Sequence, residues 1–325
     1  MSKVDHENFR ISVAPMMGWT DRHDRYFLRI ISPNIWLYTV MLTTGALIHG
    51  NARFHLEYND AEHPIALQLG GSEPEDMAKA VKIAEPYNYD EYNINCGCPS
   101  DRVQRGAFGA CLMAEPERVA NCVDAMKQVT DTPVTVKTRI GIDEQDSYQF
   151  LVDFVGTIAE KGCELFTIHA RKAWLNGLSP KDNRTIPPLN WERVYQLKRD
   201  FPHLKIELNG GVKTIDHMNE AAQNCDGVMI GREAYQNPYL LAEIERAFYG
   251  NVSPLTRPGV AAALKPYIDA EIEAGTKLKD ITRHILGLFH GEYGGKLWRR
   301  TLSEKAHSGD FGSELLDLAL SHTKR

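Results

Sequence analysis

The amino-acid sequence predicts an eight-stranded parallel (β/α)8 barrel, a TIM barrel, followed by a small all-helical domain. Eight short β-type runs recur along the first part of the chain, and a helical pattern follows each of them. Eight such units within roughly 240 residues favour a closed barrel over an open doubly wound sheet. After the last unit the hydrophobic pattern is helical, without a further strand.

The predicted strands are spaced as alternating β and α elements require. They comprise residues 11–14, 35–39, 65–69, 91–95, 134–138, 165–169, 206–209 and 227–230. Between them, Ser72-Glu73-Pro74-Glu75 has the pattern of a capping box, and Gly162 is expected to end the helix before the sixth strand. The segment 251–259 contains two prolines and a glycine, which indicates a linker. We therefore assign residues 1–250 to a catalytic barrel domain and residues 251–325 to a helical domain.

Composition and charge narrow the class of protein. With 43% hydrophobic and 25% charged residues, the chain has the composition of a soluble globular protein. Its first residues are polar and no apolar window reaches about 18 residues, so we expect a cytoplasmic protein that does not bind a membrane. The six cysteines form neither a C-x-x-C pair nor a zinc-type cluster, so we expect free thiols and no metal.

The net charge of −6 argues mildly against a polyanionic partner. The charge is, however, unevenly distributed. Residues 251–325 contain 11 Lys and Arg against 9 Asp and Glu, whereas residues 1–250 contain 26 against 34. The helical domain is therefore the better candidate for contacts with nucleic-acid phosphates.

The ends of the predicted strands are unusually polar, and in a barrel of this class the active site lies at the carboxyl ends of the strands. The residues there are Pro15, Met16 and Met17 after the first strand, Gln68 on the third, Asn95 and Cys98 at the fourth, Lys137 on the fifth, His169 at the sixth, Asn209, Gly210 and Gly211 at the seventh, and Gly231 and Arg232 at the eighth. The last two groups fit a phosphate site, because glycines let backbone N–H groups approach an anion.

Lys137 is the most informative of these residues. A long cation within a β-branched run either points into the barrel mouth or is buried without a partner, which is unfavourable. Two roles remain open: a Schiff-base amine, or a cation that stabilises negative charge on a reduced flavin.

The segment that follows the fourth strand carries a specific resemblance. Asn95-Cys-Gly-Cys98-Pro-Ser100, with Gly109-Ala-Cys-Leu-Met113, resembles the signature region of tRNA-dihydrouridine synthases. Further segments match that family in the same order: Ala14-Pro-Met16, Val136-Lys137-Thr-Arg139, Ile168-His169-Ala-Arg171, Asn209-Gly210-Gly211 and Gly231-Arg232. The resemblance spans nearly the whole chain. Segments such as Thr20-Asp-Arg-His23 and Leu297-Trp-Arg-Arg300 are similar to the A-type subgroup, which acts at positions 20 and 20a of the D-loop.

The resemblance implies a reaction and a cofactor. In the family, a reduced nicotinamide, NADPH or NADH, visits transiently and reduces a tightly bound FMN. The flavin then delivers hydride to the 6-carbon of a tRNA uracil, while a cysteine protonates the 5-carbon. Cys98 matches this cysteine, and a thiol, with an ordinary pKa of about 8.5, is mainly protonated at neutral pH. Cys96, two residues away, is expected to pack in the core.

The same resemblance assigns the binding residues. Those expected to hold FMN are Pro15, Met16, Met17, Gln68, Lys137, His169, Asn209, Gly210, Gly211, Gly231 and Arg232. Asn95 is expected to contact the target base, which must be flipped out of the tRNA. The candidates for tRNA phosphate or sugar contacts are Lys181, Arg184, Lys296, Arg299 and Arg300, with Arg102, Arg105 and Arg171 as weaker additions. No protein partner is implied.

One position departs from the family, which usually has Glu in a Tyr-Thr-Glu-Met segment where this chain has Val40. If that carboxylate pairs with a basic neighbour, Val40 leaves the neighbour unpaired. Three other hypotheses stay open: an FMN-dependent reductase of free pyrimidines, a Schiff-base aldolase that uses Lys137, and a non-catalytic tRNA-binding barrel. The basic helical domain favours tRNA over a small substrate.

Overall fold

The structure, a computed structural model, describes residues 9–324. Within this described range, nine strands form one parallel sheet: β1 (Arg10–Val13), β2 (Leu37–Tyr38), β3 (Leu42–Thr43), β4 (Ile65–Gly70), β5 (Glu91–Cys96), β6 (Val134–Arg139), β7 (Leu165–His169), β8 (Lys205–Asn209) and β9 (Gly227–Ile230). Their order is β1-β9-β8-β7-β6-β5-β4-β2, and β3 also pairs with β4. The sheet closes through a parallel bridge between Ser12 and Trp36, in which the Val13 N–H donates to the Trp36 carbonyl over 2.8 Å.

Helices surround the barrel between the strands. They are α1 (Arg22–Ile31), α2 (Thr44–His49), α3 (Ala52–Leu56), α4 (Pro74–Ala84), α5 (Asp101–Arg105), α6 (Pro116–Lys127), α7 (Tyr148–Ala159), α8 (Trp191–Asp200), α9 (Ile215–Ala222), α10 (Arg232–Gln236) and α11 (Leu240–Phe248). The C-terminal part consists of α12 (Arg257–Glu273), α13 (Leu278–Thr282), α14 (Gly295–Lys305) and α15 (Leu315–Ser321). The predicted fold class, a barrel followed by helices, is thus confirmed.

The second strand and one helix start differ from the predictions. The run 35–39 pairs as a strand only at β2, and the chain returns to the sheet at β3, so that two short strands share one position in the barrel. The predicted capping box at Ser72 was wrong. Glu73, and not Ser72, is the N-cap of α4 and makes no side-chain capping hydrogen bond, and Pro74 occupies the first helical position, which suits its fixed φ. Gly162 follows α7 in the left-handed conformation, as expected.

The interior of the barrel is layered because alternate residues of each strand point inward. Near the amino ends of the strands lies a charged layer, in which Arg10 pairs with Glu91 at 2.6 Å and with Glu207 at 3.2 Å. An apolar layer of Ala14, Tyr38, Ala66 and Met229 belongs to the same interior. The larger hydrophobic core lies between the outer faces of the strands and the helices.

The C-terminal helices pack around Trp298, which is fully buried and donates its indole N–H to the Ile285 carbonyl over 3.0 Å. They contact α1 of the barrel through an ion pair between Arg22 and Glu271 at 2.7 Å. A second contact joins Asp21 to Arg283 at 2.6 Å. The boundary at residue 250 remains a prediction; α12 begins within the expected linker. Among the described residues, no helix combines the length and the apolarity that a membrane crossing requires.

Candidate active site

The carboxyl ends of β6, β7 and β8 bring three of the predicted site residues together. The Lys137 ammonium donates to Asn209 Oδ1 over 3.0 Å, and Asn209 Nδ2 donates to the Met229 carbonyl over 2.7 Å. Residues 169 and 209 are direct partners in the ladder between β7 and β8. The side chain of Lys137 is therefore held at the mouth of the barrel by a neutral amide and not by a carboxylate.

Burial sets the charge of Lys137. Desolvation and, after it, the charge of the neighbouring Arg139 guanidinium lower the pKa of its ammonium from 10.5 to about 7. Cys98 and Glu207 act in the opposite direction but are smaller causes than these two. Within residues 9–324, Lys137 forms no ion pair. A bound anion would supply the missing partner and favour the charged form.

His169 is held neutral at the same end of the barrel. Burial lowers the pKa of its imidazole well below the ordinary value, and Arg139 and Lys137 lower it further by charge repulsion. The imidazole can thus donate one hydrogen bond and accept another at neutral pH. Gly210 stands against it: a Cβ at that position would lie 2.6 Å from His169 Cδ2, and the φ of Gly210 is +100°. Only glycine fits there without displacing the ring.

The Cys98 loop is shaped by Asn95. Asn95 Oδ1 accepts hydrogen bonds from the N–H groups of Gly97 (3.1 Å) and Cys98 (3.0 Å), and its Nδ2 donates to Gln68 Oε1 over 2.8 Å. The Cys98 thiol is half-buried and lies 3.6 Å from Ser100 Oγ. Asn95 keeps one amide hydrogen for a ligand, so its expected contact with a base remains a prediction. Cys96 is fully buried, as expected, and burial raises the pKa of its thiol.

Four arginines surround this mouth, and none of them forms an ion pair with a carboxylate in the described part of the chain: Arg139, Arg171, Arg184 and Arg232. Burial lowers the pKa of Arg139 to about 10. Partial desolvation of the guanidinium group and the charge of Arg232 lower the pKa of both Arg171 and Arg184, although much of the Arg184 side chain is exposed. Such a group of cations without acidic partners is suited to an anionic ligand.

The arginines also hold in place the loop between β7 and α8. Arg139 donates to the carbonyls of Gly97 (2.7 Å) and Asn183 (3.1 Å), and Arg232 donates to that of Arg184 over 3.2 Å. Gln104 connects this loop to the Cys98 loop, because its Nε2 donates to the carbonyls of both Leu175 and Pro99. Sequence reasoning did not assign Arg139 or Gln104 to the site. The signal for Arg139 was its place two residues after Lys137, on the same face of β6.

The remaining predicted residues lie at the rim or elsewhere. Pro15 and Met16 are half-buried, whereas Met17 is exposed. A Cβ at Gly231 would meet no atom within 4 Å, whereas one at Gly211 would lie 2.5 Å from Leu189. The candidate phosphate contacts are exposed: Lys181, Arg184, Lys296, Arg299 and Arg300. The last three belong to α14, where Arg300 pairs with Glu304. Among residues 9–324, no hydrogen bond joins these three residues to the barrel mouth.

Val40, at which the chain departs from the family pattern, is half-buried between β2 and β3 and packs against the main hydrophobic core. Whether a carboxylate there would pair with a basic residue of the mouth stays a prediction.

The fold is that of (β/α)8-barrel enzymes, and its mouth combines cations that have no carboxylate partner among residues 9–324 with a half-buried thiol, Cys98. Comparison with known proteins gives the family. The chain belongs to the dihydrouridine synthase (Dus) family, whose model matches residues 12–323. The resemblance of the Cys98 segment to this family is therefore confirmed.

The relatives are similar over almost their whole length. A tRNA-dihydrouridine(20/20a) synthase of Vibrio parahaemolyticus is 60% identical over 314 residues, which cover 96% of each chain. Proteins of the same name from Shewanella oneidensis and Escherichia coli K12 are 59% and 57% identical, and the matches cover 95% and 97% of this chain and 92% of each relative. A solved 2-naphthoyl-CoA reductase complex has a TM-score of 0.57 at 10% identity, covering 73% of this chain and 50% of that one, which supports the fold alone.

Proposed function

We propose that this protein is a tRNA-dihydrouridine(20/20a) synthase, an oxidoreductase that reduces the 5,6-double bond of uridine in the D-loop of tRNA. The observation that carries the proposal is the identity of 57–60% over nearly the full length to relatives of that name. The placement of a half-buried thiol, Cys98, at the mouth of the barrel supports it. A cytoplasmic location and tRNA as the partner belong to the same proposal.

The residues of the mouth fit FMN as the cofactor. FMN carries a phosphate dianion and, when reduced, a negative ring, and the mouth offers Lys137 and four arginines without carboxylate partners in residues 9–324. The open space beside Gly231 leaves room for a ligand next to the main chain. We assign FMN binding to Pro15, Met16, Met17, Gln68, Lys137, His169, Asn209, Gly210, Gly211, Gly231 and Arg232. When bound, FMN supplies the hydride for the uracil 6-carbon, with NADPH or NADH as the transient reductant.

Cys98 is proposed as the general acid. Its thiol gives a proton to the uracil 5-carbon as hydride reaches the 6-carbon, so that two hydrogens are added across the double bond. The thiolate that remains is close enough to Lys137, Arg139 and Arg184 to interact favourably with their charges. Asn95 orients the loop by accepting from the N–H of Cys98, and its remaining amide hydrogen is proposed to bind a carbonyl of the base.

Lys137 and His169 are proposed to act on the cofactor and not as nucleophiles. Lys137 holds a cation against negative charge on the ring, and neutral His169 contributes hydrogen bonds without adding a second charge. The low pKa of Lys137 would also suit a Schiff-base amine. That alternative leaves Cys98 and the basic residues of α14 without a role, so we favour the flavin.

Contacts with tRNA are proposed at two places. Lys181 and Arg184 lie in the loop between β7 and α8, beside the mouth, where they can reach phosphates that flank a flipped base. Lys296, Arg299 and Arg300 lie on α14 of the helical part, where they can bind a more distant stretch of the backbone. A small free pyrimidine would use neither set.

This function is tested by asking which compound reoxidises the reduced flavin. The purified protein would be examined for the visible spectrum of a flavin, reduced with NADPH without oxygen, and then mixed with unmodified tRNA, free uracil or orotate. Rapid reoxidation of the flavin by tRNA alone is the expected result. Reoxidation by uracil or orotate but not by tRNA would instead indicate a reductase of free pyrimidines. A colourless protein that binds tRNA would indicate a non-catalytic barrel.

A further inference from the structure

An unbroken series of side-chain hydrogen bonds runs through the barrel from its charged layer to the Cys98 loop. Its links are, in order, Thr135 Oγ1 to Glu91 Oε1 (2.6 Å), Asn93 Nδ2 to Thr135 Oγ1 (2.8 Å), Gln68 Nε2 to Asn93 Oδ1 (2.8 Å), Asn95 Nδ2 to Gln68 Oε1 (2.8 Å), and the Cys98 N–H to Asn95 Oδ1 (3.0 Å). We call this series the amide chain. Its side chains are almost fully buried, so each link is made in a medium where an unsatisfied group is unfavourable.

The lower end of the amide chain has only one possible polarity. The carboxylate of Glu91 accepts from Arg10 (2.6 Å) and from the Tyr38 hydroxyl (2.7 Å), and carboxylate oxygens have no hydrogen to donate. The Thr135 hydroxyl must therefore point its hydrogen at Glu91 and present a lone pair to Asn93. Asn93 in turn must present its NH2 group to Thr135 and its oxygen to Gln68.

The upper end demands the same polarity independently. The main-chain N–H groups of Gly97 and Cys98 both require an acceptor, so the oxygen of Asn95 must face the loop. Its NH2 group then faces Gln68, whose oxygen must face Asn95 and whose NH2 group must face Asn93. Both ends impose one orientation on all three amides, although the oxygen and nitrogen of an isolated amide are nearly interchangeable. Aligned bonds of this kind strengthen one another.

We propose that Thr135, Asn93 and Gln68 are positioning residues that fix the Cys98 loop through the orientation of Asn95, an inference that rests on the proposed role of Cys98. Glu91 and Arg10 anchor the amide chain at one end, and the loop takes its shape at the other. The side chains of Asn93 and Thr135 lie deeper in the barrel than the mouth, on β5 and β6, one inward position before Asn95 and Lys137. Asn93 and Thr135 act on the acid without being assigned a contact with the cofactor or the base, whereas Gln68 is also assigned to FMN binding.

A matched pair of threonines allows the first test. Thr135 and Thr167 are both buried on inward positions of adjacent strands, and each donates to a buried glutamate, Glu91 or Glu207. Only Thr135 belongs to the amide chain. In the FMN-loaded protein, Thr135→Val should slow flavin reoxidation by tRNA about 10-fold or more, since small misplacements of a reacting group have effects of that order. Thr167→Val should change it less than about 3-fold, and Thr135→Ser should retain the wild-type rate.

A readout independent of turnover is the reactivity of the cysteine. The rate of Cys98 alkylation by iodoacetamide, followed by peptide mass spectrometry, should rise about fivefold or more in Thr135→Val, because the loop loses its anchor and opens more often. Alkylation of the half-buried Cys111, which lies outside the amide chain, should not change. Flavin content and its reduction by NADPH should stay close to wild type in all three variants.

Asn93→Asp tests the polarity itself in a variant of the same shape. A protonated carboxyl at this position donates to Thr135 and accepts from Gln68 as the amide does, whereas a carboxylate only accepts. The rate relative to wild type should therefore fall as pH rises through the pKa of the new group. Thr135 links residue 93 to Glu91, which contacts Arg10 and Tyr38; Arg10 also pairs with Glu207, and Lys137 lies opposite Asn95 at the next inward position. Burial beside Glu91 favours titration of the new carboxyl between about pH 6 and pH 9.

The outcomes separate this inference from the proposed function. If wild type forms dihydrouridine and Cys98→Ala does not, the function stands. Equal effects of Thr135→Val and Thr167→Val on rate and alkylation would then overturn the amide chain alone, as would a rate for Asn93→Asp that keeps a constant ratio to wild type across that pH range. If wild type forms no dihydrouridine, the function itself fails, whereas the alkylation rates still report whether the amide chain holds the loop.

Discussion

Lys137→Met is expected to stabilise the FMN-free protein, although it removes a side chain that we assign to the site. The pKa of Lys137 falls from 10.5 to about 7 because the ammonium is buried beside Arg139. At about 1.4 kcal/mol for each pH unit between these values, charging Lys137 in the folded protein is unfavourable by on the order of 3–5 kcal/mol. Methionine avoids this but loses the hydrogen bond to Asn209, worth about 1 kcal/mol. The net gain is about 2–4 kcal/mol at pH 7.

The dependence on pH gives this prediction its sign. Between pH 7 and pH 10.5 the unfolded protein binds a proton at Lys137 that the folded protein does not, so the stability of wild type rises with pH in this window. Below about pH 7 both states bind the proton and the disadvantage is complete. The advantage of Lys137→Met should therefore be largest at or below pH 7 and shrink by about 2 kcal/mol by pH 9.

Urea unfolding of the FMN-free wild type and variant at pH 6, 7, 8 and 9 measures the difference in free energy of unfolding. The comparison holds if this free energy falls with urea concentration at the same slope for both proteins. The FMN-loaded proteins should show the opposite order, because a bound anion favours the ammonium and the variant should lose flavin. A difference between the FMN-free proteins that is independent of pH, or a variant that is less stable at every pH, would refute the assignment of Lys137 as a buried cation held by a neutral amide and not by a carboxylate.

Three further predictions concern the helical part. Arg299→Ala on α14 should weaken tRNA binding and reduce the slope of log affinity against log salt concentration by about 1, with flavin content unchanged. The control Arg199→Ala on α8 should change neither the affinity nor the slope, and filter binding over a series of salt concentrations measures both. Trp298→Ala should destabilise the protein by about 3–5 kcal/mol in urea unfolding, because the indole is fully buried; a loss below about 1 kcal/mol would contradict its role as the centre of these helices. Burial alone would raise the pKa of Asp21, but hydrogen bonds from His284 and Arg283 hold that pKa well below its usual range. Asp21→Asn should therefore lower the free energy of unfolding by about 1–2 kcal/mol at pH 7, and this loss should fade as pH drops below about 4. A loss that grew in acid would refute the pairing.

Much of the fold could be predicted because it depends on short-range patterns. Each βα unit buries its strand on both faces, so the strands appear as apolar or β-branched runs, such as β6 and β9, and punctuation such as Gly162 lies next to them. The division of the second strand into β2 and β3 has no such signal. It depends on which residues of this stretch find partners on β4, and pairing across the barrel is not encoded locally.

The candidate site was predictable to the extent that it follows from strand ends. Lys137, His169 and Asn209 occupy the positions that the barrel rule selects, and the structure brings them together. Arg139 had a sequence signal, its place two residues after Lys137, but its partners, and those of Gln104, are main-chain carbonyls of distant loops that the sequence does not reveal. The polarity of the amide chain was equally inaccessible. It depends on hydrogen bonds between strands whose partners are 25 to 44 residues apart in the chain and meet only when the barrel closes.

The most direct test of the central claim is the content of dihydrouridine in tRNA after incubation with the protein and NADPH, measured by nucleoside mass spectrometry for wild type and Cys98→Ala. We expect wild type to form dihydrouridine in the D-loop of unmodified tRNA, and Cys98→Ala to bind flavin and accept electrons from NADPH but to form little or none. Equal amounts of dihydrouridine from both proteins would contradict the role of Cys98 as the acid. A wild-type protein that leaves tRNA unchanged would contradict the proposed function.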